Sequence, residues 1–347
     1  MSELPPAVRC RGLTRYFGTH RVVDRLTADF PTGRVTALLG LNGAGKTTTL
    51  RMMMGLLAPT RGTAEVLRCD ASSMTPDHLA RIGYVVEGHY LPGWMRVSDV
   101  ESFCRQYRPA WDARRFADIL DHFAVDPRQR CGRISRGQRA GVSLASVLAA
   151  TPELLILDDP SLGLDPVSRR SLSETLLEYV GGGDRGGGGG EADRTVILST
   201  HQLDDVERIA DDVAVMLGGR LCVHTDLNDF QSRVTRFRLD AADRTAESID
   251  DAVGTSARGV VERRRVADGW VVTVVDADDG FASAVASRLS VSVEPMPTGL
   301  NDRVIAYLSR ERHRRGDPLS PPPPTGSRPP RNDAPTTSVS PQAEPTP

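Results

Sequence analysis

Gly40-Leu41-Asn42-Gly43-Ala44-Gly45-Lys46-Thr47 decides the reading of this chain. It matches G-x-x-x-x-G-K-[ST], a loop whose glycines turn backbone N–H groups inward around an anion. Its flanks fit. Arg34-Val35-Thr36-Ala37-Leu38-Leu39 is a short apolar run with the character of a buried strand. Thr48 to Met54 reads as a helix ending near Gly55 and Pro59. A helix start adds partial positive charge where a phosphate would sit. In this arrangement the Lys46 ammonium reaches the β- and γ-phosphates of a nucleotide, and the Thr47 hydroxyl ligates Mg²⁺. Without a ligand the same residues form only a glycine-rich strand-to-helix turn. Composition weighs against that. Lys and Arg together number 43, yet Lys46 is the only lysine. Arginine is a planar fork and lysine a compact point charge. A chain that keeps lysine for this one place demands an ammonium there.

The 347 residues suffice for a full core and a second small domain. A net charge of −2 gives no basic bias, so no nucleic-acid partner is expected. The five cysteines (Cys10, Cys69, Cys104, Cys131, Cys222) are scattered without C-x-x-C spacing, which favours reduced thiols in a cytosol. No secretory leader is visible, and no run approaches the roughly 18 apolar residues of a membrane span.

Along the chain, Val8 to Leu13 and Arg21 to Phe30 read as antiparallel strands, and Gly62 to Leu67 and Arg81 to Val86 as further strands. Residues about 94–150 change to helical spacing: Val97 to Tyr107, Asp112 to Phe123 and Gln138 to Ala150. Leu154 to Leu157, Thr195 to Ser199 and Asp212 to Leu217 are short strands, and Ser168 to Val180 is a helix. Residues 181–190 are almost all glycine and read as a flexible loop. Residues 221–312 read as a small α+β domain, with strands at Val234 to Leu239, Val260 to Val266 and Trp270 to Val275, a hairpin turn at Ala267-Asp268-Gly269, and helices at Phe281 to Leu289 and Asn301 to Ser309. Residues 313–347 are Pro-rich and read as a disordered tail.

Further segments carry chemistry. Asp158 closes the apolar run Leu154-Leu155-Ile156-Leu157, where a carboxylate can hold Mg²⁺ at a sheet edge or merely cap a turn. Ser135 and Gly137 stand at the start of the Gln138 helix, a place that suits a phosphate and equally an ordinary N-cap. His201 follows a strand end, in reach of a γ-phosphate or simply at the surface.

In this order, over about residues 7–220, the segments resemble the nucleotide-binding subunit of ATP-binding cassette (ABC) transporters. Ile134-Ser135-Arg136-Gly137-Gln138 resembles the LSGGQ signature, Leu154 to Asp159 the Walker B strand, Leu162-Gly163-Leu164-Asp165 the D-loop, and Ser199-Thr200-His201 the H-switch. Tyr107-Arg108-Pro109-Ala110-Trp111-Asp112 is similar to a subgroup of bacterial single-domain ABC ATPases. The resemblance implies an α/β P-loop NTPase core spanning 1–220, with a mixed sheet, an antiparallel β subdomain and a helical insert; the small α+β domain follows it. It implies that ATP lies against Phe17 (or its neighbour Tyr16) and Gly40, Leu41, Asn42, Gly43, Ala44, Gly45, Lys46, Thr47 and Thr48. Mg²⁺ is expected at Thr47, Asp158 and Glu87, with Lys46, Asp159 and His201 catalytic. Ser135, Gly137 and Gln138 act in trans, on the ATP of a second nucleotide-binding subunit. A separate transmembrane permease subunit and a peripheral position on the inner face of the cell membrane are implied. The other readings are a soluble regulatory ATPase and a degenerate subunit with very slow hydrolysis. Three departures bear on activity: Glu87 where the family usually has Gln, Arg136 where Gly is usual, and Asp159 where Glu is usual.

Overall fold

The computed structural model describes residues 4–181, 194–254 and 259–314. The glycine-rich loop beyond Gly181 and the tail beyond Arg314 lie outside the described residues. β1 (Val8–Phe17) and β2 (His20–Phe30) form an antiparallel hairpin turned at Gly18-Thr19. Val8 and Cys10 alternate inward, while Arg9 and Arg11 stay at the surface and pair with Asp29. β3 (Val35–Gly40) runs straight into α1 (Lys46–Met53). β4 (Arg61–Val66) and β5 (Cys69–Asp70) complete a sheet of order β2-β1-β4-β5. α2 (Pro76–Ala80) then leads to β6 (Ile82–Val85).

The three expected helices follow as α3 (Val97–Gln106), α4 (Ala113–His122) and α5 (Arg136–Leu148). Each start has a local cause. Asp112 accepts the Arg115 N–H to open α4, and Ser135 accepts the Gln138 N–H to open α5, two residues earlier than apolar spacing alone suggests. α4 and α5 meet where Gly141 leaves room for the Phe123 ring. A Cβ on Gly141 would stand 2.4 Å from Phe123 Cγ and 2.5 Å from its Cβ, neither of them a movable side-chain end. Gly141→Ala is therefore expected to cost about 1–3 kcal/mol from overpacking, despite alanine's better helix propensity. A lowered melting temperature would show it; an unchanged or raised one would mean that the pair of helices yields.

β7 (Leu154–Asp158), α6 (Pro166–Val180), β8 (Thr195–Ser199), α7 (Leu203–Ile209), β9 (Asp212–Leu217) and β10 (Arg220–Asp226) complete the second sheet. Its order is β10-β9-β3-β8-β7-β6, parallel throughout except for the β9–β10 hairpin. β7, β8 and β9 are buried on both faces. They therefore read as unbroken apolar runs rather than alternations. Because the strands are parallel and in register, Asp158 and Ser199 pair at the sheet's C-terminal edge, beside the end of β3. That edge is where open α/β sheets place their ligands.

The remaining residues build a third sheet. α8 (Leu227–Ser232) leads to β11 (Val234–Leu239), α9 (Ala246–Gly254), β12 (Val260–Val266), β13 (Gly269–Val275), α10 (Phe281–Leu289) and β14 (Val293–Met296). The order β12-β13-β11-β14 is antiparallel, a βαββαβ unit. α9 and α10 cover one face through Ile249, Val253, Phe281 and Val285. α11 (Leu300–Arg314) joins Leu300, Val304 and Tyr307 to Ala37, Leu39 and Val215 of the parallel sheet, and to Val234 and Val275 of the third. β13 is thus buried along its whole length. β10, α8, α9 and β14 are elements that the sequence reading lacked. β10 pairs with β9 inside the parallel sheet, so residues 221–226 sit there and not in the third sheet. No disulfide joins any of the five cysteines.

Candidate functional site

The glycine loop owes its path to close approaches. Gly40 (φ 154°) and Gly45 (φ 98°) lie where side-chain-bearing residues are strained. A Cβ on Gly40 would stand 2.5 Å from the Met216 carbonyl oxygen, and one on Gly45 2.7 Å from that of Val22. Gly219, in the β9–β10 turn, fixes the loop from below, its N–H donating to the Ala44 carbonyl at 3.1 Å. The Lys46 ammonium folds over the loop and donates to the Gly40 carbonyl at 2.8 Å and the Leu41 carbonyl at 3.3 Å. Burial holds the lysine below its ordinary pKa, opposed by the carboxylates of Asp159, Asp158 and Glu87.

Asp158 is almost wholly buried. Its Oδ1 accepts from the Thr47 hydroxyl at 2.9 Å and the Ser199 hydroxyl at 2.8 Å. Among the described residues its Oδ2 accepts no hydrogen bond, although the Tyr84 hydroxyl is near enough to feel the Asp158 charge. A buried, unpaired carboxylate oxygen is costly, and it points to a cation. The donors at hand (Thr47, Asp158 and the nearby Glu87) are hard oxygens suited to Mg²⁺. Among the described residues no three His, Cys, Asp or Glu side chains gather as a metal cluster. Mg²⁺ tolerates that, because it takes water and phosphate oxygens to complete its shell.

The next residue, Asp159, has φ 45°. Its N–H donates to the Ser199 carbonyl at 3.0 Å, its Oδ2 lies 2.7 Å from His201 Nδ1, and its Oδ1 is buried with no partner among the described residues. Ser199 thus holds both aspartates. The sequence reading placed it in a motif but gave it no role; its only sign was the small polar residue ending a strand of apolar ones.

A cleft of roughly 350 Å³ gathers Asn42 to Thr48, Glu87, Asp158, Asp159 and His201, so most of the sequence-derived residues meet. Gly40 and Leu41 line the adjoining recess toward α11. Three carboxylates face a single ammonium here, which leaves room for added positive charge. Tyr16 and Phe17 do not line the cleft; Val22 of β2 does. Phe17 is half-exposed, with the Arg15 guanidinium 4.8 Å from its ring centre.

Ser135, Gly137 and Gln138 also stand outside this cleft. Ser135 and Gln138 cap each other, at 3.1 Å and 3.0 Å, and the Gln138 amide donates to the Ala124 carbonyl at 2.7 Å. Gly137 is pressed against α6: a Cβ there would fall 1.9 Å from Ser168 Oγ. Arg136 leans over Gly163, its Nη1 3.0 Å from where a Cβ on that glycine would stand.

The ABC transporter family model matches residues 23–162. The daunorubicin/doxorubicin resistance ATP-binding protein DrrA of Streptomyces peucetius is 34% identical over 253 residues, which cover 70% of this chain and 73% of DrrA. The chain belongs to the ABC transporter family. This ABC subunit also matches curated relatives of which it spans only 10% of the length. Among solved structures, an ATP-binding subunit of an ABC transporter aligns with TM-score 0.57 at 25% identity, over 65% of this chain and 92% of that one. A dimeric cassette bound to ADP and phosphate aligns with TM-score 0.54 at 19% identity, over 63% and 98%, and shares the fold. Family and fold make the chain an ATP-binding, ATP-hydrolysing subunit.

Proposed function

We propose that this subunit binds MgATP in the Lys46 cleft, hydrolyses it to ADP and phosphate, and couples that cycle to a separate membrane-spanning subunit. The observation that carries the site assignment is the buried, unpartnered Asp158 Oδ2 beside the Thr47 hydroxyl. Lys46 and the loop N–H groups hold phosphate, with Gly40 to Thr48 as the cradle. Thr47, Asp158 and Glu87 hold Mg²⁺, which neutralises charge on the phosphates. Asp159 offers its free Oδ1 to the attacking water, while His201, held on the other oxygen, faces the γ-phosphate. Phe17 remains the candidate for adenine stacking from outside the cleft lining, of which Val22 is a part.

Ser135, Gly137 and Gln138 lie away from their own chain's cleft. That supports their use by a second subunit, head to tail, across its ATP. The exposed aromatics Tyr90, Trp94, Phe103 and Tyr107 on and before the helical insert support docking on a membrane partner. Among the described residues no helix is long and apolar enough to cross a membrane. The subunit would then sit peripherally on the inner face. The division into a 1–220 cassette and a 221–312 accessory domain belongs to the same proposal. The subunit, affinity-purified from its native membranes, is expected to bring down a polytopic membrane protein in an ATP-sensitive manner. Its recovery without any such protein, with unaltered ATPase activity, would favour a soluble regulatory role.

A further inference from the structure

His89 is a buried polar residue between two surfaces of different purpose. It follows Glu87-Gly88 in a tight turn, and both Gly88 (φ 84°) and His89 (φ 50°) are left-handed. That conformation is disfavoured for a residue with a Cβ and persists only where its surroundings impose it. A hydrogen bond anchors the side chain of this turn residue. His89 Nε2 lies 2.7 Å from the Pro160 carbonyl oxygen. A carbonyl only accepts, so Nε2 carries the proton and donates. Nδ1 is buried with no partner among the described residues. His89 is 4% exposed, whereas Tyr90 beside it is 84% exposed and Trp94 75%.

The contact joins two loops of the cleft. One presents Glu87 and continues into the exposed segment 90–94. The other presents Asp159, whose own backbone is left-handed and which immediately precedes Pro160. The His89 imidazole thus ties the segment that leads into residues 90–94 to the residue that follows Asp159.

We propose that His89 is a positioning residue for hydrolysis: its Nε2–H···O=C bond to Pro160 sets the Asp159 carboxylate and transmits to it the position of the exposed Tyr90–Trp94 segment. The proposal rests on the reading of Asp159 as the water-orienting group. Misplacement of a reacting group on the order of 1 Å costs roughly a hundredfold, so a loosened loop registers in turnover and not in binding.

Single-turnover and steady-state ATP hydrolysis by the full chain, with melting temperature as a check on folding, test it. His89→Phe keeps the ring's bulk and removes the donor; kcat is expected to fall roughly 10- to 100-fold, with KM for ATP within about twofold. His89→Asn, whose amide is too short to reach Pro160, is expected to behave as His89→Phe does. His89→Gln places an amide N–H near the Nε2 position and is expected to restore kcat to within about threefold of wild type. In an Asp159→Asn background, His89→Phe is expected to add little further loss, because both act on one group. Unchanged kcat in His89→Phe overturns the proposal. So does equal loss in Phe, Asn and Gln variants together with a lowered melting temperature, which marks a purely structural histidine. If Asp159→Asn itself hydrolyses at the wild-type rate, the underlying reading of Asp159 fails instead, and a full His89→Phe loss in that background would show that His89 acts elsewhere.

Discussion

Lys46→Ala is expected to weaken ATP binding by roughly 10- to 150-fold, the loss of one charge-assisted contact worth about 1.5–3 kcal/mol. The expectation follows from what surrounds the ammonium. Glu87, Asp158 and Asp159 face it, and the α1 N-terminus adds a further positive field to that cleft lining. Without Lys46 the triphosphate would meet three carboxylates with no side-chain ammonium to offset them. The side chain also ties Gly40 and Leu41 through their carbonyls, so the empty loop of the variant loses a clasp. Lys46→Arg is expected to rescue little, since a planar fork cannot sit between two carbonyls as a compact ammonium does. Calorimetric titration with ATP and Mg²⁺ decides it; an unchanged affinity in Lys46→Ala would remove the phosphate-loop assignment.

Asp159→Asn is expected to slow hydrolysis by roughly 10²–10⁴-fold, the range of general-base assistance, while ATP still binds. Asp159 and His201 share a 2.7 Å contact, so their effects are not expected to add. The double variant Asp159→Asn, His201→Ala should hydrolyse little more slowly than the worse single variant. Additive losses would separate the two residues. Side-chain length makes a further demand. Glu would carry its oxygens about one C–C bond, roughly 1.5 Å, farther than Asp, and a gap on the order of 1 Å costs about a hundredfold. Wild type is therefore expected to turn over slowly, and Asp159→Glu to be faster in single turnover. A slower Asp159→Glu would show that the left-handed backbone at this residue, which short polar side chains tolerate best, is fitted to Asp, and would end the idea of a weakened site.

Much of this was legible because the physics is local. The strand–loop–helix around Lys46 is fixed by glycine, a strand of apolar residues and a helix start, all contiguous. β7, β8 and β9 announce themselves because both faces are buried. The Ser135 cap and the Ala267-Asp268 hairpin turn are chain-neighbour effects. What stayed hidden depends on distant partners. Every residue of β10 is half-buried, so neither a period of two nor an apolar run marks it. β14 carries Pro295, which a strand tolerates at a sheet edge but sequence reading takes for a break. Ser199 matters because register sets it beside Asp158, from 41 residues away. His89 matters because Pro160, 71 residues on, presents a bare carbonyl. Phe17 was assigned by motif order, and the cleft lining instead contains Val22 from the following strand.

The solitary lysine makes the nucleotide cleft chemically addressable. Apart from a chain terminus, Lys46 is the one primary amine, and burial holds its pKa below that of an ordinary lysine. An acylating or reductively methylating reagent thus titrates occupancy of a single pocket, and bound nucleotide should shield it. A lysine-specific endoprotease has one internal cut, inside the loop, so a pair of fragments would report that this loop has opened. The same fact warns against coupling the protein to a support through its amines, which would tether it by the very group that ATP needs.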